Sequence, residues 1–190
     1  MRRERAIAGD RVTYLVWITL LTFAFPMEAI CQDFWWPYLA SYEAGPGSIR
    51  VNLGLRKHVP LSGYRHLVVT GTTYDTTRPD GLPDTKDFHR LNALSEKVVA
   101  AIETTSPSIY VGTFTHNREQ LHYVYVTNPS RIEAVLGTLY LAVCPGCKPY
   151  TNIKEDPSWS AYTQFLYPNQ ATLEFYRTEL EKLGYVVPKE

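Results

Sequence analysis

The chain has 190 residues, 45% hydrophobic and 20% charged, a balance that belongs to a folded globular protein and excludes a disordered or low-complexity one. Lys plus Arg and Asp plus Glu each number 19, so no basic excess points to nucleic acid, where phosphate neutralisation supplies most of the affinity. Aromatic residues stand out instead, with 14 Tyr and 4 Trp, which suit sheet faces and amphipathic surfaces.

The N-terminus carries Arg2, Arg3, Arg5 and Arg11, followed by an apolar run over residues 12–25 (VTYLVWITLLTFAF) that Pro26 breaks. A basic head, a short apolar stretch and a polar tail predict a secretory signal peptide over residues 1–31, with Ala29 and Cys31 as the small residues before the cut. The apolar run is shorter than the roughly 20 residues a spanning helix needs, so no membrane span is expected after cleavage. An uncleaved inner-membrane anchor is the alternative. A lipoprotein modified at Cys31 fits less well, because Ile30 before it is not small. Cleavage removes four arginines and the acidic Glu4, Asp10 and Glu28, leaving 15 basic and 16 acidic residues in a periplasmic or extracellular product.

Residues 34–42 (FWWPYLASY) and 48–56 (SIRVNLGLR) are strand-like and are separated by Gly45-Pro46-Gly47, which predicts a hairpin. Ile49, Val51, Leu53 and Leu55 alternate with Arg50, Asn52, Gly54 and Arg56, giving one buried and one wet face. Pro37 lacks the N–H of a central strand and places its strand at an edge or bulge. Residues 66–76 (HLVVTGTTYDT) read as a strand. After the turn-rich residues 78–83, Asp84 suits an N-cap, and Phe88, Leu91, Leu94, Val98 and Ile102 form a helical stripe that Pro107 ends.

Residues 108–117 and 119–127 form a second hairpin turning at Asn117-Arg118. Its second strand sets Leu121, Tyr123 and Tyr125 against His122, Val124 and Val126, apolar on both faces as a central strand is. Asn128-Pro129 predicts a helix start, with Ile132, Val135, Leu136, Leu139 and Tyr140 inward and an end near Val143. Residues 148–154 give the last strand. Two C-terminal helices follow, one over 157–166 carrying Trp159, Tyr162 and Phe165, the other capped by Asn169 with Leu173, Tyr176, Leu180 and Leu183 inward and Gly184 as its stop. The order over residues 66–154 predicts an α+β, ferredoxin-like βαββαβ sandwich with an added N-terminal β-hairpin and two C-terminal helices, in one domain over residues 32–190.

Trp35-x-x-Tyr38, the Ser48-Ile49-Arg50-Val51-Asn52-Leu53 strand, Arg78-Pro79-Asp80-Gly81-Leu82, Tyr110-Val111-Gly112 and Asp156-Pro157-x-Trp159-x-x-Tyr162 through Tyr167-Pro168 together resemble the domain-of-unknown-function family 695, over roughly residues 33–184. The resemblance implies no activity, because that family has no assigned reaction. Some proteins join this domain to one like the ribonuclease E inhibitor, which implies a regulatory or binding role. Cys144 and Cys147 depart from the family's pattern, so their chemistry is not carried by it.

Cys144-Pro145-Gly146-Cys147 holds the only two cysteines left after cleavage, and export favours pairing them. A thiol-disulfide oxidoreductase needs an attacking thiolate of lowered pKa, usually at a helix N-terminus, whereas this motif follows a helix, whose C-terminal end raises a thiol pKa. A structural disulfide is therefore the first reading and redox catalysis the second, with free thiols or metal behind them. No second Cys or His pair stands at zinc-ligand spacing, so no metal and no cofactor is expected. His116 and His122 flank the hairpin turn as weak polar-site candidates, and a hydrolytic site there requires a carboxylate within reach. Asp75, Asp80, Asp84 and Asp87 lack the spacing of a calcium loop and read as turn and cap residues. Trp35, Trp36, Tyr38, Tyr123 and Tyr125 are candidates to line a ligand groove. The sequence thus predicts an exported, non-enzymatic binding or interaction domain for an unknown protein or small-molecule ligand, with the oxidoreductase as its alternative.

Overall fold

The computed structural model describes residues 33–188. The expected signal segment and the Cys31 cleavage site lie outside the described residues. The fold is α+β: a six-stranded antiparallel sheet of β1 (Trp35–Tyr42), β2 (Gly45–Asn52), β3 (His66–Thr73), β4 (Ser108–His116), β5 (Glu119–Val126) and β6 (Pro149–Glu155), in the order β1-β2-β4-β5-β3-β6. The long helices are α1 (Phe88–Thr105) and α2 (Ile132–Val143); α3 (Gln170–Phe175) and α4 (Arg177–Lys182) end the chain.

Several local expectations are met for local reasons. The β1–β2 hairpin forms and puts Pro37 on an edge strand, where its missing N–H costs no ladder bond. Asn117 and Arg118 both take positive φ, the geometry of a two-residue hairpin turn whose twist matches its strands. The β4–β5 ladder slips between Tyr110 and Gly112, so Val111 is an extra residue pointing into the core.

Other expectations are corrected. The strand expected over 48–56 stops at Asn52, whose side chain accepts from the Gly54 N–H at 3.1 Å and starts a 3₁₀ turn over Leu53–Lys57. Leu53 and Leu55 are buried all the same. Asp84 does not cap α1; its carboxylate turns back to the Thr77 N–H and hydroxyl at 3.1 and 3.0 Å, and α1 begins only after a 3₁₀ turn over Thr85–Asp87. Phe88, placed in the buried stripe by spacing, is exposed at the helix start, while Leu91, Leu94, Val98 and Ile102 are buried. Asn128 makes an Asx turn to the Ser130 N–H rather than a cap, and α2 starts at Ile132 after Arg131 at φ +69°. The first C-terminal helix is a single π-helical turn over Ala161–Leu166, and the second breaks at Tyr176 into α3 and α4.

The two sheet faces are covered differently. On one, Val68, Val124 and Val126 meet Leu94, Val98 and Ile102 of α1 and Ile132, Leu136 and Tyr140 of α2. On the other, Trp36, Tyr38, Ile49, Val51, Leu67, Val69, Tyr123 and Tyr125 are closed over by Trp159, Tyr162, Leu166, Tyr167, Leu173, Leu180 and Val187 from the C-terminal segment. Strands lie about 4.8 Å apart and packed helices about 10 Å, so two helices cover about four strands. With α1 over β4 and β5 and α2 over β6, the helical side of β1 and β2 is left without a helix of its own.

Candidate functional site

That uncovered strip forms the floor of a groove of about 800 Å³. Alternation on β1 and β2 sends Trp36, Tyr38, Ile49 and Val51 into the closed face and turns Pro37, Leu39, Ser48 and Arg50 into the groove. Across β4 and β5 the floor continues as Tyr110, Thr113, Thr115 and Gln120. The wall is the flank of α1 turned toward this strip, with Asn92, Ser95, Glu96, Val99, Ala100 and Glu103. Leu82 and Pro83 of the preceding loop close one end beside Phe88. Leu39 and Phe88 are 59% and 47% exposed, so the groove combines a polar floor that includes Arg50 with an apolar rim, the usual make-up of a small-ligand site.

A hydrogen-bonded cluster underlies the floor. His122 is buried, with Nδ1 3.4 Å from Thr113 Oγ1 and 3.5 Å from Tyr110 Oη, and Nε2 3.4 Å from Ser95 Oγ. Tyr110 and Thr113 also hydrogen-bond to each other through their hydroxyls. The Ser95 hydroxyl donates to the Leu91 carbonyl at 2.8 Å, which leaves its lone pairs to accept from His122 Nε2–H. That polarity is the reverse of a serine activated by a histidine base. Burial without an anionic partner pushes the His122 imidazole down to about 4, so it is neutral at pH 7. Burial likewise raises Tyr110, whose hydroxyl feels Arg50 nearby.

The expected site residues separate. His116 lies on the closed-face side beside Tyr42 and Phe114, its Nδ1 3.1 Å from the Pro46 carbonyl, while His122 lies on the helical side; the sheet divides them. Neither is within hydrogen-bond reach of a carboxylate among the described residues, which removes the hydrolytic requirement. Of the groove aromatics read from sequence, Trp36, Tyr38, Tyr123 and Tyr125 are buried in the closed-face core. There the Tyr38 hydroxyl donates to the Leu166 carbonyl and Tyr125 stacks on Trp159 with centroids 3.9 Å apart. Tyr123 also lines a cavity of about 750 Å³ beside Tyr150 and Phe165 on that face. Only Trp35 is placed at the groove, half-buried, 5.1 Å from the Tyr110 ring and beneath the Arg50 guanidinium at 4.8 Å. Arg50, Ser48, Thr113, Thr115 and Gln120 were not among the expected site residues. Their signal was the polar alternate face of strands that the order makes interior.

Cys144 and Cys147 are joined by a disulfide just past the α2 C-terminus, where the Cys144 N–H donates to the Tyr140 carbonyl. They border a polar cavity of about 1050 Å³ into which Lys86, Arg90, Arg118 and Lys148 reach, with Asp75, Asp84, Asp87 and Glu119 opposing them. No group of three or more metal-ligating side chains converges among the described residues. The acidic loop is internally bonded, with Asp80 accepting from Arg78 Nε at 2.9 Å and from the Leu82 N–H at 3.1 Å. No described helix is long and apolar enough to cross a membrane.

Residues 33–167 fit the model of a family of unknown function, DUF695. No curated protein and no solved structure matches the chain.

Proposed function

Because the chain belongs to the DUF695 family, whose function is unknown, its role has to be read from its own geometry, and we propose that it is an exported, non-catalytic domain that binds a ligand in the groove between α1 and the β1–β2 hairpin. The observation that carries this is the groove itself: a drug-sized concavity with a hydrogen-bonding floor that carries one cation, Arg50, an apolar rim, and a histidine kept neutral beneath it by burial. The order β4-β5-β3-β6, with α1 and α2 on one face, supports reading the four-stranded core as a ferredoxin-like sandwich and β1–β2 as the addition that creates the groove floor. Export rests on residues 1–31 as a cleaved signal, with an inner-membrane anchor as the alternative, and agrees with the Cys144–Cys147 disulfide. The balanced charge supports a protein or small-molecule ligand rather than nucleic acid.

A fragment screen followed by amide chemical shifts tests the binding reading. Ligand-induced shifts are expected at Ser48, Arg50, Thr113 and Val99. Shifts confined to the Cys144–Cys147 cavity, or to the closed face, would overturn it.

One observation favours a second reading, thiol-disulfide exchange: the disulfide opens on a cavity with Lys86, Arg90, Arg118 and Lys148, and such cations stabilise a thiolate. The α2 C-terminus works against them. Measuring the reduction potential separates the two readings. A value below about −300 mV marks a structural staple, whereas one near roughly −120 to −200 mV, with one thiol of depressed pKa, puts oxidoreductase chemistry first.

A further inference from the structure

Arg50 is the charge on the groove floor that no carboxylate neutralises. Arg78, the other groove arginine, is bound to Asp80, whereas Arg50 makes no ion pair among the described residues. It is nonetheless held in place: its guanidinium lies over the Trp35 ring at 4.8 Å, and Trp35 is in turn packed against Tyr110. A stacked guanidinium keeps its N–H edge free and has already lost much of its rotamer freedom, so little ordering remains to oppose binding an anion.

The register places the rest of the ligand. Pro37, Arg50 and Thr113 form one cross-strand row, and Leu39, Ser48 and Thr115 form the next row on the same face. Rows two residues apart are separated by about 7 Å, so a group seated on Arg50 has an exposed apolar side chain, Leu39, one row away. Phe88 and Val99 face this floor from α1. Glu96 and Glu103 on the same wall oppose further negative charge, which disfavours phosphate-rich polymers and other polyanions.

We propose that the groove selects an amphipathic monoanion, a molecule with one carboxylate seated on Arg50 and a short aliphatic or aromatic body lying along Leu39 toward Phe88 and Val99. This rests on the groove being the binding site, and the test keeps the two claims apart. The probes are octanoate, 1-octanol and octylammonium, titrated calorimetrically at low salt into the full chain, into Arg50→Gln and into Ala100→Trp, whose added ring fills the groove from an exposed position on α1. Octanoate is expected to bind about tenfold more tightly than octanol, as a charge-assisted bidentate contact implies. Arg50→Gln should erase that difference by weakening octanoate about tenfold, and Arg50→Lys should restore it only in part. Ala100→Trp should abolish binding of both. Equal affinity for octanoate and octanol, preference for octylammonium, indifference to Arg50→Gln, or no binding of any probe would overturn the monoanion proposal. Binding that survives Ala100→Trp would overturn the groove reading itself.

Discussion

One face of the sheet lays Tyr125 flat on Trp159 at 3.9 Å; the other, one strand's thickness away, holds His122 among hydroxyls and opens beside it into the groove. Both faces are built from alternate residues of the same strands. The closed face is covered by large aromatics, three of which have their polar ends matched. Trp159 Nε1–H donates to the Tyr64 carbonyl at 2.8 Å, Tyr162 Oη–H to the Asn52 carbonyl at 2.8 Å, and Tyr125 Oη–H to Asp156 at 2.6 Å. Asp156 also accepts from the Ser160 and Ala161 N–H groups at 2.9 Å, which ties the C-terminal segment onto β5. The open face has the polar groups without the lid. The pleat thus separates the residues that hold the fold together from those that line the groove, so a change on one face can be read without disturbing the other.

The largest effect that would break this contrast comes from removing the lid's centre. Trp159→Ala deletes a fully buried indole and its stack, and a loss of about 3–5 kcal/mol is expected in urea unfolding. A loss under about 1 kcal/mol would mean that the closed face does not hold the fold together.

Acid should dissect the faces in two separate windows. On the open side, His122 is held down to about 4, against about 6.5 when unfolded. The unfolded chain binds the proton first, so stability is full above pH 6.5 and falls by up to about 3 kcal/mol as pH drops toward 4. His122→Gln should flatten that stretch of the stability curve. On the closed side, burial pushes Asp156 up, but the Ala161 N–H, the Tyr125 hydroxyl and the Ser160 N–H and hydroxyl outweigh it and hold the carboxyl near 2. Its contribution is present above the unfolded value of about 4 and is lost as pH falls toward 2, by up to about 2 kcal/mol. Asp156→Asn should remove this lower step and leave the upper one. A single merged acid transition in both variants would contradict the assignment.

The smallest stability effect sharpens the contrast most. Ala100→Trp lies on the exposed flank of α1, and its stability should stay within about 0.5 kcal/mol of the parent while ligand-induced heat disappears.

What the sequence made legible follows from local physics. The strands around 35–42, 66–73, 108–116 and 119–126, the Asn117-Arg118 turn and the α1 stripe from Leu91 to Ile102 are set by alternation, turn chemistry and helical spacing. Where two local solutions compete, the sequence was ambiguous: Asn52 can extend a strand or cap a turn, and Asn128 can cap a helix or close an Asx turn. The groove was hidden for a different reason. Alternation says which residues share a face but not which face the C-terminal segment will cover, so Trp36, Tyr38, Tyr123 and Tyr125 read as groove when they are core. The floor draws Arg50, Thr113 and Gln120 from three strands, and no linear motif joins them.

Over β1 and β2 the helical face is open, while the opposite face of the same two strands is covered by the C-terminal segment. Crystals of the protein soaked in isopropanol test this most directly. Ordered isopropanol is expected between Leu39 and Phe88 over the floor of Ser48 and Thr115, with none beneath Trp159 and Tyr162. An α1 packed down onto Leu39 and Arg50 with no probe between them, or probe molecules seated under the C-terminal segment instead, would contradict it.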